Sequence, residues 1–306
     1  MCSSDLILWF QSWRTPAVEL FFKIVTFTGE EYFYLIMLPI LYWCVDTKLA
    51  RRVTPFLLIS AWVNAWCKEW WQRPRPVMVS AEVKPALNVP DFGLPSGHAQ
   101  CSLTFWGAIA FYLKRRGFTL FVIFYVPLVC VSRLVLGVHY PQDIVGGLAI
   151  AAILLVLYYK LEPSIARWIS LQSMGKQIGI VTLATAGMAC VYPLTFSSAY
   201  EYAVPKAVSL LALFWGSGID LVLEFHRLQF DSSGVWWKKV VRFFLGIFIL
   251  IVIRFGLDAI FEDMQPMWVY RMITYSIVGL WMCFGAPWLF IKIKIGQKTA
   301  PQNQLT

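Results

Sequence analysis

Three short stretches bring ionisable side chains into an otherwise apolar chain: KEWWQRPRP at 68–76, LPSGHAQ at 94–100 and SRLVLGVHYPQD at 132–143. Lys68, Arg75 and Arg133 offer three positive charges. Such a clamp suits a phosphate, whose oxygens spread negative charge. Arg presents a planar fork to two oxygens, and Lys a point charge. Ser96 and Gly97 are read as opening a helix, where unpaired N–H groups and the dipole favour an anion. Gly97 has no side chain to hold a ligand off the backbone. His139 and Asp143 stand four residues apart, one helical turn. Asp143 can accept the Nδ1 proton of His139, which exposes the Nε2 lone pair and stabilises the charge that develops on attack. His139 is then an activated nucleophile toward phosphorus. His98, of a residue type with a pKa near 6.5, can protonate a leaving alkoxide and later deprotonate water. The chain has 3 His, and two of them fall in these stretches.

A charged side chain inside a bilayer costs about 2.5–3.5 kcal/mol on insertion scales, so such groups require a reason when the surrounding chain is built for lipid. This one is. It has 306 residues, 59% hydrophobic and only 14% charged, with mean hydropathy +0.64. The expected fold class is all-α, a polytopic membrane helical bundle. A helix needs roughly 20 apolar residues to cross the hydrocarbon core, and nine stretches qualify: about 31–47, 54–71, 97–113, 118–137, 143–161, 176–195, 204–225, 240–262 and 268–291. Residues 16–28 are too short to cross and read as an interfacial or re-entrant helix. The polar break LEPSIARWISLQSMGK divides the chain into a core of about five spans, 1–165, and an extension of about four, 166–306, in one membrane domain. The opening residues have no basic stretch before their apolar run, the mark of a cleaved signal peptide.

Charge sorts the loops. Lys48, Arg51 and Arg52, then Lys114, Arg115 and Arg116, then Lys160, Arg167 and Lys176, then Arg227, Lys238, Lys239 and Arg242, and finally Lys292, Lys294 and Lys298 fall on one side. They outnumber the positive charges opposite, so that side is expected to face the cytoplasm. The N-terminus and the three motif stretches then lie outside, periplasmic or luminal, and the C-terminus inside. The net charge of +9 follows from this bias, and no nucleic-acid partner is expected.

The pieces K-x6-R-P at Lys68 and Arg75, P-S-G-H ending at His98, and S-R-x5-H-x3-D from Ser132 to Asp143 together resemble the full signature of the type 2 phosphatidic acid phosphatase (PAP2) superfamily, and no position departs from it. The resemblance implies a phosphohistidine at His139 oriented by Asp143, with His98 as acid and base. It implies phosphate contacts from Lys68, Arg75, Ser96, Gly97 and Arg133, and no metal or other cofactor. TGEEYFYLIMLPILYWCVD before the motifs, and VVRFFLGIFILIVIR and YRMITYSIVG after them, are similar to the sphingosine-1-phosphate phosphatases, which share the extra C-terminal helices. The function implied is a membrane lipid-phosphate phosphatase, with a sphingosine-1-phosphate-like monoester favoured. The membrane is a bacterial inner membrane or the endoplasmic reticulum. Phosphatidic acid or isoprenyl (pyro)phosphate as substrate, transfer to another acceptor, and hydrolysis of a soluble sugar phosphate use the same residues. A transporter or scaffold is the rival from another class. No pair of Gly/Pro-broken spans recurs in two halves as inverted repeats require, and no signature residue is missing.

Residues outside the signature have plainer expectations. The 7 Cys are scattered and form no C-x-x-C pair, so they read as small core residues. Arg73 reads as an interfacial snorkelling side chain and His226 as a solvated surface residue. Arg254 is expected to pair with Asp258, one turn on, rather than with Asp220, which lies near the opposite face. The small residues of WGSGID, 215–220, suit close helix packing.

Overall fold

In the computed structural model, residues 3–193, 200–261, 264 and 267–299 are described. The helices in chain order are α1 (Ser3–Ser12), α2 (Pro16–Phe27), α3 (Glu31–Ile40), α4 (Thr47–Trp71), α5 (Pro76–Val79), α6 (Gly97–Leu113), α7 (Arg116–Val135), α8 (Pro141–Ser170), α9 (Met174–Cys190), α10 (Tyr200–Leu223), α11 (Trp236–Phe261), α12 (Met267–Leu280) and α13 (Ala286–Lys292). Three π-helical turns, Leu41–Val45, Glu224–Leu228 and Trp281–Gly285, extend α3, extend α10 and join α12 to α13. Phe230–Asp231 and Gln297–Lys298 make a short antiparallel pair.

Each of the nine expected spans coincides with helix, although residues 194–195 and 262 at the ends of two of them lie outside the described residues. Among the described residues five helices are long and apolar enough to cross a membrane: Arg116–Val135, Pro141–Ser170, Pro205–Leu228, Trp236–Phe261 and Met267–Lys292. The number is six if α2 and Glu31–Val45, bent by 52°, form one broken span. The count therefore falls short of nine. Helices α6 and α9 have only 17 residues each, and α4 carries Lys48, Arg51, Arg52, Lys68 and Glu69. Within the polar stretch at 161–176, α8 continues to Ser170 with Pro163 inside it, and α9 begins at Met174.

The segment read as interfacial, 16–28, is a well-started helix. Thr15 accepts a hydrogen bond from the Val18 amide at 3.3 Å, and Pro16 sits at the first helical position, where its missing N–H leaves no intrahelical bond unmade. Its C-terminal turn, through Gly29 and Glu30, leads directly into α3.

The described residues form two compact units. The first comprises residues 3–34 and 59–162, with 193 and 200–204. Its core lies between α6, α7 and the start of α8, where Ala99, Val122, Val126, Cys130 and Ile144 are buried together. Trp106 packs against this core, edge-on to Phe121 and Tyr125 at 5.5 and 5.7 Å between ring centroids, a favourable geometry for aromatic quadrupoles. A polar thread crosses this unit. Gln100 donates to the Ser60 carbonyl at 2.8 Å and accepts from Asn64 at 2.9 Å, and Asn64 also donates to the Pro95 carbonyl at 3.2 Å. Buried amides satisfied in this way fix the loop before α6 against α4, since breaking one would strand the other.

The second unit comprises residues 35–58 and 163–192, and the described residues from 205 to 299. Gly216 and Gly279 lie against Ser276 and Ser217, where any side chain would collide with backbone. The small residues of WGSGID thus do serve close packing. Asp220 accepts the Cys283 and Phe284 amides at 3.1 and 2.6 Å, at the π-helical turn. Arg242 donates to the carbonyls of Trp43, Ser232, Ser233 and Ile295. Arg254 pairs with Asp258, as expected, and donates to the Tyr270 hydroxyl at 3.0 Å. His226 is exposed and lies 3.2 Å from the Gln177 amide oxygen. Six Cys are free, and Cys2 lies outside the described residues.

Candidate active site

All eight residues singled out in the sequence belong to the first unit. Lys68 comes from the last turn of α4, and Arg75 from just before α5. Ser96 caps α6, whose first two residues are Gly97 and His98. Arg133 lies in the last turn of α7, His139 in the loop after it, and Asp143 in the first turn of α8. Helix ends and the short loops beside them therefore deliver every one of them. One hydrogen bond and one close approach tie the ends together. The Ser96 amide donates to the Asp143 carbonyl at 2.9 Å, and a Cβ on Gly147 would come within 2.5 Å of the Ser96 carbonyl oxygen. Only glycine lets α8 approach the start of α6 this closely.

His139 is 1% exposed. Arg75 Nη1 lies 3.2 Å from its Nε2, and Asp143 Oδ2 lies 3.4 Å from its Nδ1. An arginine can only donate, so Nε2 is the unprotonated nitrogen and Nδ1–H points to Asp143. That is the tautomer a nucleophilic Nε2 requires. Burial, and then the nearby charges of Arg75, Arg133 and Lys68, hold the imidazole well below the ordinary histidine pKa. Asp143 is itself held by the Tyr140 amide at 2.9 Å, and Arg73 Nη1 approaches its other oxygen at 3.9 Å. Arg73 also lies over the Tyr140 ring, 5.6 Å from its centroid. The expectation of a merely snorkelling Arg73 is thus replaced by a contact with the carboxylate that orients His139.

Arg133 Nη1 lies 3.1 Å from His98 Nε2 and donates to Thr26 Oγ1. The same His98 nitrogen is 3.1 Å from Glu30 Oε1. The turn between α2 and α3 is therefore part of the site. A Cβ on Gly29 would sit 2.7 Å from His98 Cδ2, so the turn's backbone lies flush on the imidazole.

Lys68 Nζ is 2.7 Å from Asp91 Oδ2 and donates to the Phe92 carbonyl at 2.7 Å. Arg75 Nη2 pairs with Asp91 Oδ1, and its Nε donates to the Asp91 carbonyl at 2.7 Å. The carboxylate of Asp91 thus lies between Lys68 and Arg75, one oxygen on each cation. The hydroxyl of Ser96 is fully buried with no hydrogen-bond partner, as is Arg133 Nε. Both are donors oriented within a cationic site, which suits further oxygens of an anion. Gly97 abuts the Asn64 side chain, whose Oδ1 would lie 3.1 Å from an added Cβ.

Four residues at the site were not assigned to it from the sequence: Thr26, Glu30 and Asp91, and Arg73, expected to be a snorkelling side chain. The chain has only 17 acidic residues, and Asp91 falls five positions before Ser96, between the first two motifs. A cluster of cations at an apolar face needs carboxylates near it, and that requirement was the available signal for Asp91 and Glu30. Thr26 carried none. Among the described residues no three His, Cys, Asp or Glu side chains converge as a metal site.

Two family models match the chain: the PAP2 superfamily over residues 52–166, and the PAP2 superfamily phosphatase transmembrane extension over 208–298. Sphingosine-1-phosphate phosphatase 2 of Mus musculus is 27% identical over 85% of this chain and 83% of its own length. The Homo sapiens protein of the same name is 31% identical over 45% of this chain, and the match spans 36% of its length. A probable sphingosine-1-phosphate phosphatase of Dictyostelium discoideum is 31% identical over 48% of this chain and 39% of its own length. Among solved structures, LpxE of Aquifex aeolicus covers 51% of this chain with a TM-score of 0.46 at 19% identity.

Proposed function

Because the chain belongs to the PAP2 superfamily and is a multi-pass phosphoric monoester hydrolase that resembles the sphingosine-1-phosphate phosphatases, we propose that it hydrolyses a sphingosine-1-phosphate-like lipid through a phosphohistidine at His139. Lys68, Arg75 and Arg133 take the phosphate oxygens, with the Ser96 hydroxyl and the first amides of α6, at Gly97. Binding requires the Asp91 carboxylate to leave Lys68 and Arg75, and Arg75 to turn its donors from His139 Nε2 to the phosphate. The exposed Nε2 then attacks phosphorus. A P–N bond forms as the P–O ester bond breaks, and His98 gives its proton to the departing alkoxide. Asp143 keeps the Nδ1 proton in place and steadies the imidazolium charge. Water next attacks the phosphohistidine, His98 removes its proton, and the P–N bond breaks to release phosphate and neutral His139. Positioned acid–base help of this kind contributes about 10²–10⁴-fold. The three cations neutralise charge in the transferring group, so no metal is needed in this scheme.

The observation that carries the reading is the pair of imidazoles set in one cation cluster, each with Nε2 facing an arginine, at 3.2 Å for His139 and 3.1 Å for His98. A lipid suits a site built on helix ends, because an acyl chain can stay in the bilayer while its headgroup reaches the cations. The active face is periplasmic or luminal by the loop charges. Brief exposure to phosphorus-labelled substrate followed by rapid quench should leave label on the protein in the wild type and none in His139→Ala. Label retained by that variant would remove His139 as nucleophile. Turnover should also persist in excess EDTA, and complete loss would refute the metal-free scheme.

A further inference from the structure

Glu30 poses an electrostatic problem that the scheme above does not use. Its Oε1 lies 3.1 Å from His98 Nε2, the nitrogen that serves the leaving oxygen, and its side chain is 39% exposed while that of His98 is 13% exposed. A carboxylate so close to the path of a phosphate ester repels the substrate's own charge. The repulsion turns to attraction if the substrate carries a cation beside its ester oxygen. Building on the lipid-phosphatase reading, we propose that Glu30 is a specificity-determining residue that binds a protonated amine on the carbon next to the ester carbon, and so selects amino-alcohol phosphates over phosphates of plain alcohols.

The local structure is suited to this role. Gly29 lies flush on the His98 ring, so the backbone of the turn is fixed relative to the general acid. Thr26, on the same turn, is bonded to Arg133, which fixes the turn against the phosphate-binding side as well. The root of Glu30 is therefore positioned relative to both phosphate and leaving group, and only rotation of its side chain is needed. When the ester oxygen takes His98 Nε2, Glu30 gives up that contact and meets the ammonium one carbon further along. The phosphate goes to the Lys68, Arg75 and Arg133 side, and the amine to the Glu30 side. A long-chain base phosphate carries both charges in this arrangement, while a phosphate on a simple alcohol or on an acylated amine offers nothing to Glu30.

The test compares three single-chain substrates in mixed micelles with the full-length protein: sphingosine 1-phosphate, its N-acetylated form, and hexadecyl phosphate. Wild type should favour the free amine in kcat/KM by about tenfold or more, the size expected of a charged hydrogen bond. Glu30→Gln should abolish that preference chiefly through KM, and Glu30→Asp should restore part of it. The crossing of the two changes, one on the enzyme and one on the substrate, isolates the pair. An equal fall in kcat for all three substrates in Glu30→Gln would overturn the proposal and make Glu30 a positioning residue for His98. Wild type that hydrolyses all three alike would also overturn it while leaving the lipid-phosphatase reading intact. Failure to hydrolyse any of the three would sink that reading and this inference with it.

Discussion

At the scale of single residues, the site depends on which nitrogen of His139 holds the proton. Arg75 on one side and Asp143 on the other choose it. Burial and the surrounding cations then keep the ring neutral. A base whose pKa is depressed in the folded protein stays unprotonated as pH falls and is lost only below that lowered value. The acid limb of kcat/KM, which reports the free enzyme, should therefore lie below the ordinary histidine value of about 6.5. Removing a positive neighbour reverses part of the shift. Arg75→Gln should move the acid limb upward, toward neutrality, besides lowering the rate, and a pH profile of kcat/KM for the two proteins checks it. The residue scale was the most legible in the sequence. The signature gives types and spacing, and a spacing of four suggests the His139–Asp143 contact, although His139 lies in the loop before α8 and not on the helix itself. It did not give Asp91 or Glu30, whose partners are 16 to 68 positions away in the chain.

At the scale of elements, the loop from α5 to α6 and the first turn of α8 do most of the positioning. Asp91 on that loop is paired with Lys68 and Arg75, so in the proposed scheme it competes with phosphate for them. Asp91→Asn keeps the shape but removes the competing charge, so vanadate, a phosphate mimic, should inhibit that variant more tightly, by about tenfold. Inhibition constants measured side by side decide the matter, and weaker inhibition would show that Asp91 chiefly preorganises the cations. The approach of α8 to α6 rests on Gly147. Gly147→Ala should push these elements apart, at a cost of about 1–3 kcal/mol as in other overpacked sites, and should lower activity by displacing Ser96 and His98. A thermal-unfolding midpoint together with a turnover assay reads both effects. The helices themselves were legible from apolar run length alone. The α2–α3 turn was not legible as part of the site. Its sequence reports a short apolar helix and a Gly, and its role comes from what lies against it.

For the molecule as a whole, the chain is a multi-pass membrane protein, and its loop charges predict a sidedness that labelling can test. Single cysteines placed in the loop at 81–90 and in the turn at 114–116, in a background without accessible native thiols, should react with an impermeant thiol reagent from opposite sides of sealed vesicles. Labelling of both from one side would reverse or break the predicted topology. The sequence by itself determined the class, the signature residues and the membrane character. All three depend on residue type, spacing and run length, which are one-dimensional properties. It did not determine how many helices fully cross, because a run such as α4 is apolar by its middle and charged at its ends, and helix length is set by where caps and partners fall. Only the tertiary structure brought Glu30 to His98, Asp91 to the cations and Arg73 to Asp143. Long-range pairing of charges is fixed by the packing of helix ends, and no local pattern in the chain encodes which ends will meet.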